Sequence, residues 1–111
     1  MIQTETIFTA RELANAGAKL AYDHAEAVHQ GWKNGADRCL LLFLEQHSGE
    51  FMVEDVRAFA YGVGLVRPPS ERSWAGVVMR AANLGLISKT GYRETKNPKA
   101  HGTPATSWVA I

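Results

Sequence analysis

The side chains that could carry out catalysis or hold a metal are few, and their spacing suits neither task. His24 and His29 are five residues apart, so they do not share a helix face in the i, i+4 arrangement of a zinc pair. His47 and His101 are isolated in the sequence. Cys39, the single cysteine, lies in an apolar run, where a buried small hydrophobe is expected rather than a thiolate nucleophile.

Two short motifs could also suggest catalysis or phosphate binding, but their context favours a structural role. Glu54 and Asp55 lie where a helix begins, a position at which the helix dipole favours acidic side chains. Gly62 and Gly64 lead into a proline-containing loop rather than a helix start, so they do not form a phosphate-binding loop. A single cysteine also excludes an intramolecular disulfide and a multi-cysteine zinc site. We therefore expect no enzymatic activity, no cofactor and no metal.

Positive charge is concentrated in the second half of the chain. The formal net charge of the 111 residues is only +1. Residues 1–61 hold five Lys and Arg against nine Asp and Glu, whereas residues 62–111 hold seven against two. Such asymmetry points to a basic binding face, and chance segregation in a short chain is the alternative explanation.

Several residues of this basic half are suited to binding duplex DNA. Arg72 fits the O6 and N7 acceptors of guanine, and Asn83 could bind adenine from a helix lying deep in the major groove. Ser73 and Arg80 are better placed for phosphates. Gly76 would permit close backbone approach, at a helix cost of about 1 kcal/mol relative to alanine. Close packing against a neighbouring helix explains Gly76 equally well.

A second group of candidates lies in and around a polar loop near the C-terminus. These side chains could contact phosphates or reach the minor groove. A solvated hairpin tip is the alternative, because lysines commonly protect such edges. Arg67, which precedes two prolines, could touch the DNA backbone or only solvate its turn. The loop candidates are Lys89, Arg93, Lys96, Lys99 and His101.

Local signals predict two helices in the first part of the chain. Thr9 and Glu12 form a capping box, from which an alanine-rich helix runs to about Gln30. Its apolar stripe is shallow and built from small residues, so it either packs on the main domain or pairs with its copy in a dimer. Asn34 is predicted to cap a second helix that extends to about His47.

The second helix should form the centre of the fold. Its run from Cys39 to Leu44 is apolar nearly all round, which predicts burial on more than one side. A brief extended stretch at Phe51 and Met52 follows. A third, short helix then runs through about Tyr61.

A fourth helix and two strands complete the predicted order. Ser70 should cap the helix, which runs to Leu84, and Gly85 should end it in the left-handed conformation. Strands are predicted over residues 86–93 and 105–111. Helical periodicity places on the inner side of the fourth helix Trp74, Val77, Val78, Ala81 and Leu84. It places on the outer side Arg72, Gly76, Met79 and Asn83, with Arg80 beside them.

This order of elements is that of a winged helix-turn-helix domain. Residues 36–111 resemble the winged-helix superfamily, and three runs with Trp108 are similar to small winged-helix proteins of bacteriophages and prophages. The runs are Ala82-Asn83-Leu84-Gly85-Leu86-Ile87, Gly91-Tyr92-Arg93 and Asn97-Pro98-Lys99-Ala100-His101-Gly102-Thr103-Pro104. The resemblance implies a mainly α fold with a small β-hairpin (α+β), here preceded by an extra N-terminal helix.

The resemblance also implies a function, double-stranded DNA binding in the transcription or replication of a phage or mobile element. The N-terminal helix segment would be residues 1–33 and the winged-helix domain residues 34–111. The alternative is a non-catalytic protein-interaction module docking on a host protein, since the same fold serves that purpose. The acidic first half and an outward Met79 motivate it. A homodimer through the N-terminal helix is a further possibility.

Membrane insertion and secretion are not expected from the sequence. The longest apolar run, residues 39–44, is far shorter than the roughly 18 to 20 residues that a membrane-spanning helix needs. The start Met-Ile-Gln-Thr-Glu lacks the basic and apolar segments of a signal peptide. A cytoplasmic location is therefore predicted.

Overall fold

The computed structural model describes residues 10–94 and 104–111 of the chain. These ranges contain helices and a two-stranded antiparallel hairpin, so the predicted mainly α, α+β class is confirmed. The predicted capping box at Thr9 and the candidates Lys96, Lys99 and His101 lie outside the described residues. The elements are α1 (Ala10–Val28), α2 (Trp32–Gln46), α3 (Val53–Gly62), α4 (Ser73–Asn83), β1 (Ile87–Glu94) and β2 (Pro104–Ala110).

The corner between α1 and α2 is closed by a carboxylate rather than by the predicted asparagine cap. Glu26 accepts hydrogen bonds from the backbone N–H groups of Gly31, at 2.7 Å, and Lys33, at 3.0 Å. These bonds lower the pKa of Glu26. Gly31 adopts φ 88°, which lets the chain turn, and α2 begins at Trp32. The prediction that Asn34 caps this helix is therefore wrong, because the acceptor comes from the preceding helix.

Two tryptophans lie at the centre of the core. Trp74 and Trp32 are fully or almost fully buried and pack edge to face, with ring centroids 5.4 Å apart. The indole N–H of Trp32 donates to the backbone oxygen of Val66 at 3.0 Å, which ties α2 to the loop before α4. The inward placement of Trp74 is confirmed. Cys39 is buried as predicted, and burial raises the pKa of its thiol.

Burial of the apolar run in α2 is only partial. Cys39, Leu40 and Phe43 are buried, but Leu41 and Leu42 are 48% and 40% exposed. The prediction that this helix is buried nearly all round is wrong, because its described neighbours pack against one side. Leu84 was predicted to face inward and is instead 62% exposed, since α4 ends at Asn83 and the chain turns away there.

The hairpin is joined to the helices by one extra backbone pairing. β1 and β2 pair from Ile87 opposite Ala110 onwards, with an irregularity between Lys89 and Gly91. Phe51, from the α2–α3 connection, exchanges two backbone hydrogen bonds with Trp108, of 2.9 and 2.8 Å. The predicted extended stretch at Phe51 thus lies beside β2. It fixes the hairpin against the helical core.

Candidate nucleic-acid interface

One flank of α4, the helix predicted to contact DNA, is covered by α1. The hydroxyl of Ser73 is buried and donates to the backbone oxygen of Ala21 at 2.9 Å. A Cβ added to Gly76 would lie 2.6 Å from the Cβ of Tyr22, so a larger side chain there would force α1 outward. The prediction that Gly76 faces outward is therefore wrong, and its alternative, close packing against a neighbouring helix, is what the structure contains.

Covering by α1 changes the interpretation of two candidate residues. Ser73 and Gly76 are buried, so neither is accessible to DNA while α1 is in place. Both instead hold α1 against α4. The strip of α4 that remains accessible carries Arg72, Met79 and Asn83, with Met79 only half-buried.

The start of α4 differs from the prediction, which affects Arg72. The helix begins at Ser73 rather than directly after Ser70, so the predicted Ser70 cap is wrong. Ser70 instead closes a turn, because its hydroxyl accepts from the Arg72 N–H at 3.2 Å and its carbonyl from the Ser73 N–H at 3.1 Å. Arg72 is exposed, and its guanidinium lies directly over Gly17 of α1, in space that a Cβ would need.

Three of the predicted DNA-binding arginines face carboxylates. Each pair is exposed, and such pairs contribute only about 0 to 1 kcal/mol to stability, so a phosphate can compete for the guanidinium. Arg67 also lies 4.3 Å over the ring of Tyr61. The pairs are Arg67 with Glu71 at 3.8 Å, Arg80 with Asp37 at 3.6 Å and Arg93 with Glu50 at 3.0 Å.

Lys89 and Tyr92 line a cleft between α4 and the hairpin. The Lys89 Nζ donates to the Tyr92 hydroxyl at 2.6 Å and lies 4.3 Å over its ring. Tyr92 is 65% exposed. The cleft has a volume of about 450 Å³, and Met79 and Trp108 form part of its wall. It combines an exposed aromatic surface with a cation next to α4.

Glu50 was not singled out from the sequence, yet it holds the hairpin in place. One of its carboxylate oxygens accepts from the Ser107 hydroxyl at 2.8 Å, the Arg93 Nε at 3.0 Å and the Thr90 hydroxyl at 3.2 Å. These donors, with that of Ser107 first, lower the pKa of Glu50. The donors are 40 to 57 residues away in the chain, so no local pattern signals them.

Tyr22 was also missed, although Gly76 signalled that some large side chain must approach α4 closely. Its ring is buried against Gly76 and packs edge to face on Trp32, with centroids 6.3 Å apart. Its hydroxyl is buried, and no hydrogen-bond partner for it exists among the described residues.

Comparison with known proteins supplies no relative. No family model, no curated protein and no solved structure matches this chain. Among the residues that the structure describes, no group of three or more His, Cys, Asp or Glu is arranged to hold a metal ion. No helix within those ranges is long and apolar enough to cross a membrane.

Proposed function

We propose that this protein binds double-stranded DNA as a winged helix-turn-helix protein. The observation that carries the proposal is the pairing of Phe51 with Trp108, which joins the hairpin to the core formed by α2, α3 and α4. With this pairing, the elements follow the winged-helix order of helix, short strand, helix, helix and hairpin. The phage or mobile-element setting rests only on the resemblance of residues in and near the hairpin.

The proposed contacts differ from the set expected from the sequence alone. Arg72 and Asn83 remain candidates for base edges, and Lys89 becomes the candidate for a phosphate beside the hairpin. Arg67, Arg80 and Arg93 would exchange their carboxylates for phosphates on binding. Lys96, Lys99 and His101 stay as contacts proposed from the sequence. Ser73 and Gly76 act indirectly, by holding α1.

Binding under varied salt tests the proposal. A fluorescence-anisotropy titration with a randomised duplex pool should show binding at 50 mM salt and loss of affinity at 200 mM. Each phosphate neutralised adds roughly one unit to the slope of log K against log salt. Replacing Arg80 and Lys96 by alanine should weaken binding to most duplexes and lower that slope. Replacing Arg72 should mainly relax sequence preference.

A matched control separates a specific surface from net charge. Arg38→Ala removes one positive charge from an exposed position of α2 that is outside the candidate set, so it should change affinity little. Absence of binding to any duplex at low salt would contradict the proposal. So would equal losses for Arg38→Ala and for either Arg80→Ala or Lys96→Ala.

A second candidate function is protein docking, and exposed leucines favour it. Leu41, Leu84 and Leu86 line one concave site of about 180 Å³, next to the Arg80–Asp37 pair. All three are at least 38% exposed. Pull-down of a host protein that persists when Lys96 and Lys99 are neutralised, and that is lost in Leu84→Asp, would support docking. A strong duplex preference with no recovered partner would count against it.

A further inference from the structure

A second concave site lies between α1 and α4, on the opposite side of Met79 from the hairpin cleft. Its volume is about 480 Å³. Gly76 lines it next to Tyr22, and Met79 and Leu84 add apolar surface. Asn83, at the end of α4, supplies a side-chain amide that both donates and accepts hydrogen bonds. The site thus has an apolar wall with one polar end group.

The hydroxyl of Tyr22 gives this site an unused donor. Tyr22 is only 8% exposed and its hydroxyl makes no hydrogen bond within the described residues. Burial, reinforced by the charge of Asp37, raises the pKa of Tyr22, so the hydroxyl keeps its proton near neutral pH. Arg80 lies close enough to influence this pKa, but a guanidinium has no acceptor. The hydroxyl hydrogen therefore has nothing to donate to.

The charged groups around the site leave positive charge in excess. Lys19 and Lys33 share one carboxylate, that of Asp23, at 2.9 and 2.6 Å. Their hydrogen bonds lower the pKa of Asp23, which therefore stays ionised. Two ammonium groups against one carboxylate leave one positive charge on this rim.

The guanidinium of Arg80 is available to an incoming anion. Its Nε lies 3.6 Å from an oxygen of Asp37, beyond hydrogen-bond distance. Its side chain is 57% exposed and so is free to shift toward a ligand. An anion bound there would supply both Arg80 and the Tyr22 hydroxyl with an acceptor.

We propose that this site binds a phosphate ester of nucleotide size. The phosphate would accept from the Tyr22 hydroxyl and from Arg80, and the excess charge of Lys19 and Lys33 would favour it. Met79 and Leu84 would contact the sugar or base, and the Asn83 amide would meet a base edge. The phosphate ester is either a free nucleotide or a nucleotide within a DNA strand. The site does not depend on duplex binding by the rest of the surface.

Tyr22→Phe tests the proposal, because it removes only the hydroxyl. The free variant should unfold at the same temperature as the native protein or higher, since a buried hydroxyl without a partner does not stabilise the fold. Titration with adenosine 5′-monophosphate or inorganic phosphate, followed by NMR at constant ionic strength, should show affinity reduced about tenfold. The native protein's shifted amides should lie at the facing ends of α1 and α4.

Tyr61→Phe is the matched control. The Tyr61 hydroxyl donates to Glu71 at 3.0 Å and accepts from the Trp74 indole at 3.0 Å, so its loss should lower the unfolding temperature. Tyr61 does not line the site. Affinity for the phosphate ester should therefore be unchanged in this variant.

The two sources of the phosphate give different results. Binding of the mononucleotide that Tyr22→Phe weakens assigns the site to a free ligand, even when no duplex binds. Weaker duplex binding in Tyr22→Phe, without mononucleotide binding, assigns it to a DNA phosphate. Tyr22→Phe affinities equal to the native ones for every probe would overturn the proposal and leave duplex binding standing. No binding of any probe, or a lower unfolding temperature in Tyr22→Phe, would also overturn it.

Discussion

Two glycines inside helices provide a sharp test of how α1 packs on α4. Gly17 in α1 and Gly76 in α4 are both replaced by alanine, in separate variants. Each change removes a helix-interior glycine, which alone should raise the free energy of unfolding by about 1 kcal/mol. The variants therefore share one contribution and differ only in what the new methyl group meets.

The new methyl group meets different neighbours at the two positions. At Gly76 it would lie 2.6 Å from the Cβ and 2.7 Å from the Cγ of Tyr22, atoms close to the backbone of α1. Relief requires movement of α1, and such overpacking costs about 1 to 3 kcal/mol. At Gly17 it would meet the end of the Arg72 side chain, which is exposed and free to swing away.

The expected outcome is opposite in sign for the two variants. Gly17→Ala should be neutral or more stable by up to about 1 kcal/mol. Gly76→Ala should be neutral or less stable by up to about 2 kcal/mol, the overpacking cost less the helix gain. Each kcal/mol corresponds to a shift of about 4 °C in unfolding temperature for a domain of this size.

Urea denaturation followed by far-ultraviolet circular dichroism and by tryptophan fluorescence measures both variants. Trp32 contacts Tyr22 directly, so its fluorescence should report displacement of α1 in Gly76→Ala even under native conditions. Equal stabilisation of the two variants would refute the packing argument. It would mean that the flank of α4 at Gly76 is open, and Gly76 would return to the candidate DNA surface.

Three further predictions concern residues whose environments the structure defines. The pKa of Glu50 is lowered in the folded state, so its contribution to stability is present above the pKa of an unfolded glutamate and disappears as pH falls through the folded pKa. Hydrogen exchange in the hairpin should therefore accelerate under acidic conditions in the native protein, and Glu50→Gln should be faster already at pH 7; unchanged exchange in the variant would contradict the role of Glu50. Cys39 is buried with a raised pKa, so it should react with a thiol reagent such as Ellman's reagent only on unfolding, and rapid native-state labelling would refute its burial. Asn34→Ala should change the free energy of unfolding by less than about 0.5 kcal/mol, as at an exposed non-capping position. A loss of about 1 kcal/mol in thermal denaturation would instead show that Asn34 caps α2.

The order and type of the elements could be predicted because their signals are local. Gly85 ends α4 with φ 78°, as expected. The strands begin and end within about a residue of the predicted bounds, since turn residues flank them. The caps at Asn34 and Ser70 were misassigned, because residues with capping side chains also occur inside turns. Which acceptor is used depends on the path of the preceding chain.

The tertiary contacts of α1 could not be predicted, for a physical reason. The surfaces that meet are built from Ala25, Gly76 and the hydroxyl of Ser73, and small residues give almost no hydropathy signal. The stripe of α1 therefore fitted two different partners. In α2 the opposite problem arose, because leucines that find a neighbour and leucines that do not, such as Leu41, look the same in a sequence.

The separation of charge along the sequence disappears in three dimensions at two positions. Asp37 and Glu50 come from the acidic half and meet Arg80 and Arg93 of the basic half. These carboxylates act as counterions that are built into the protein and stay beside any bound polyanion. They would keep local cations near DNA that a bare basic surface would expel. The salt slope of binding should therefore be smaller than the number of phosphate contacts, and the complex should be less sensitive to ionic strength than its basic residues suggest.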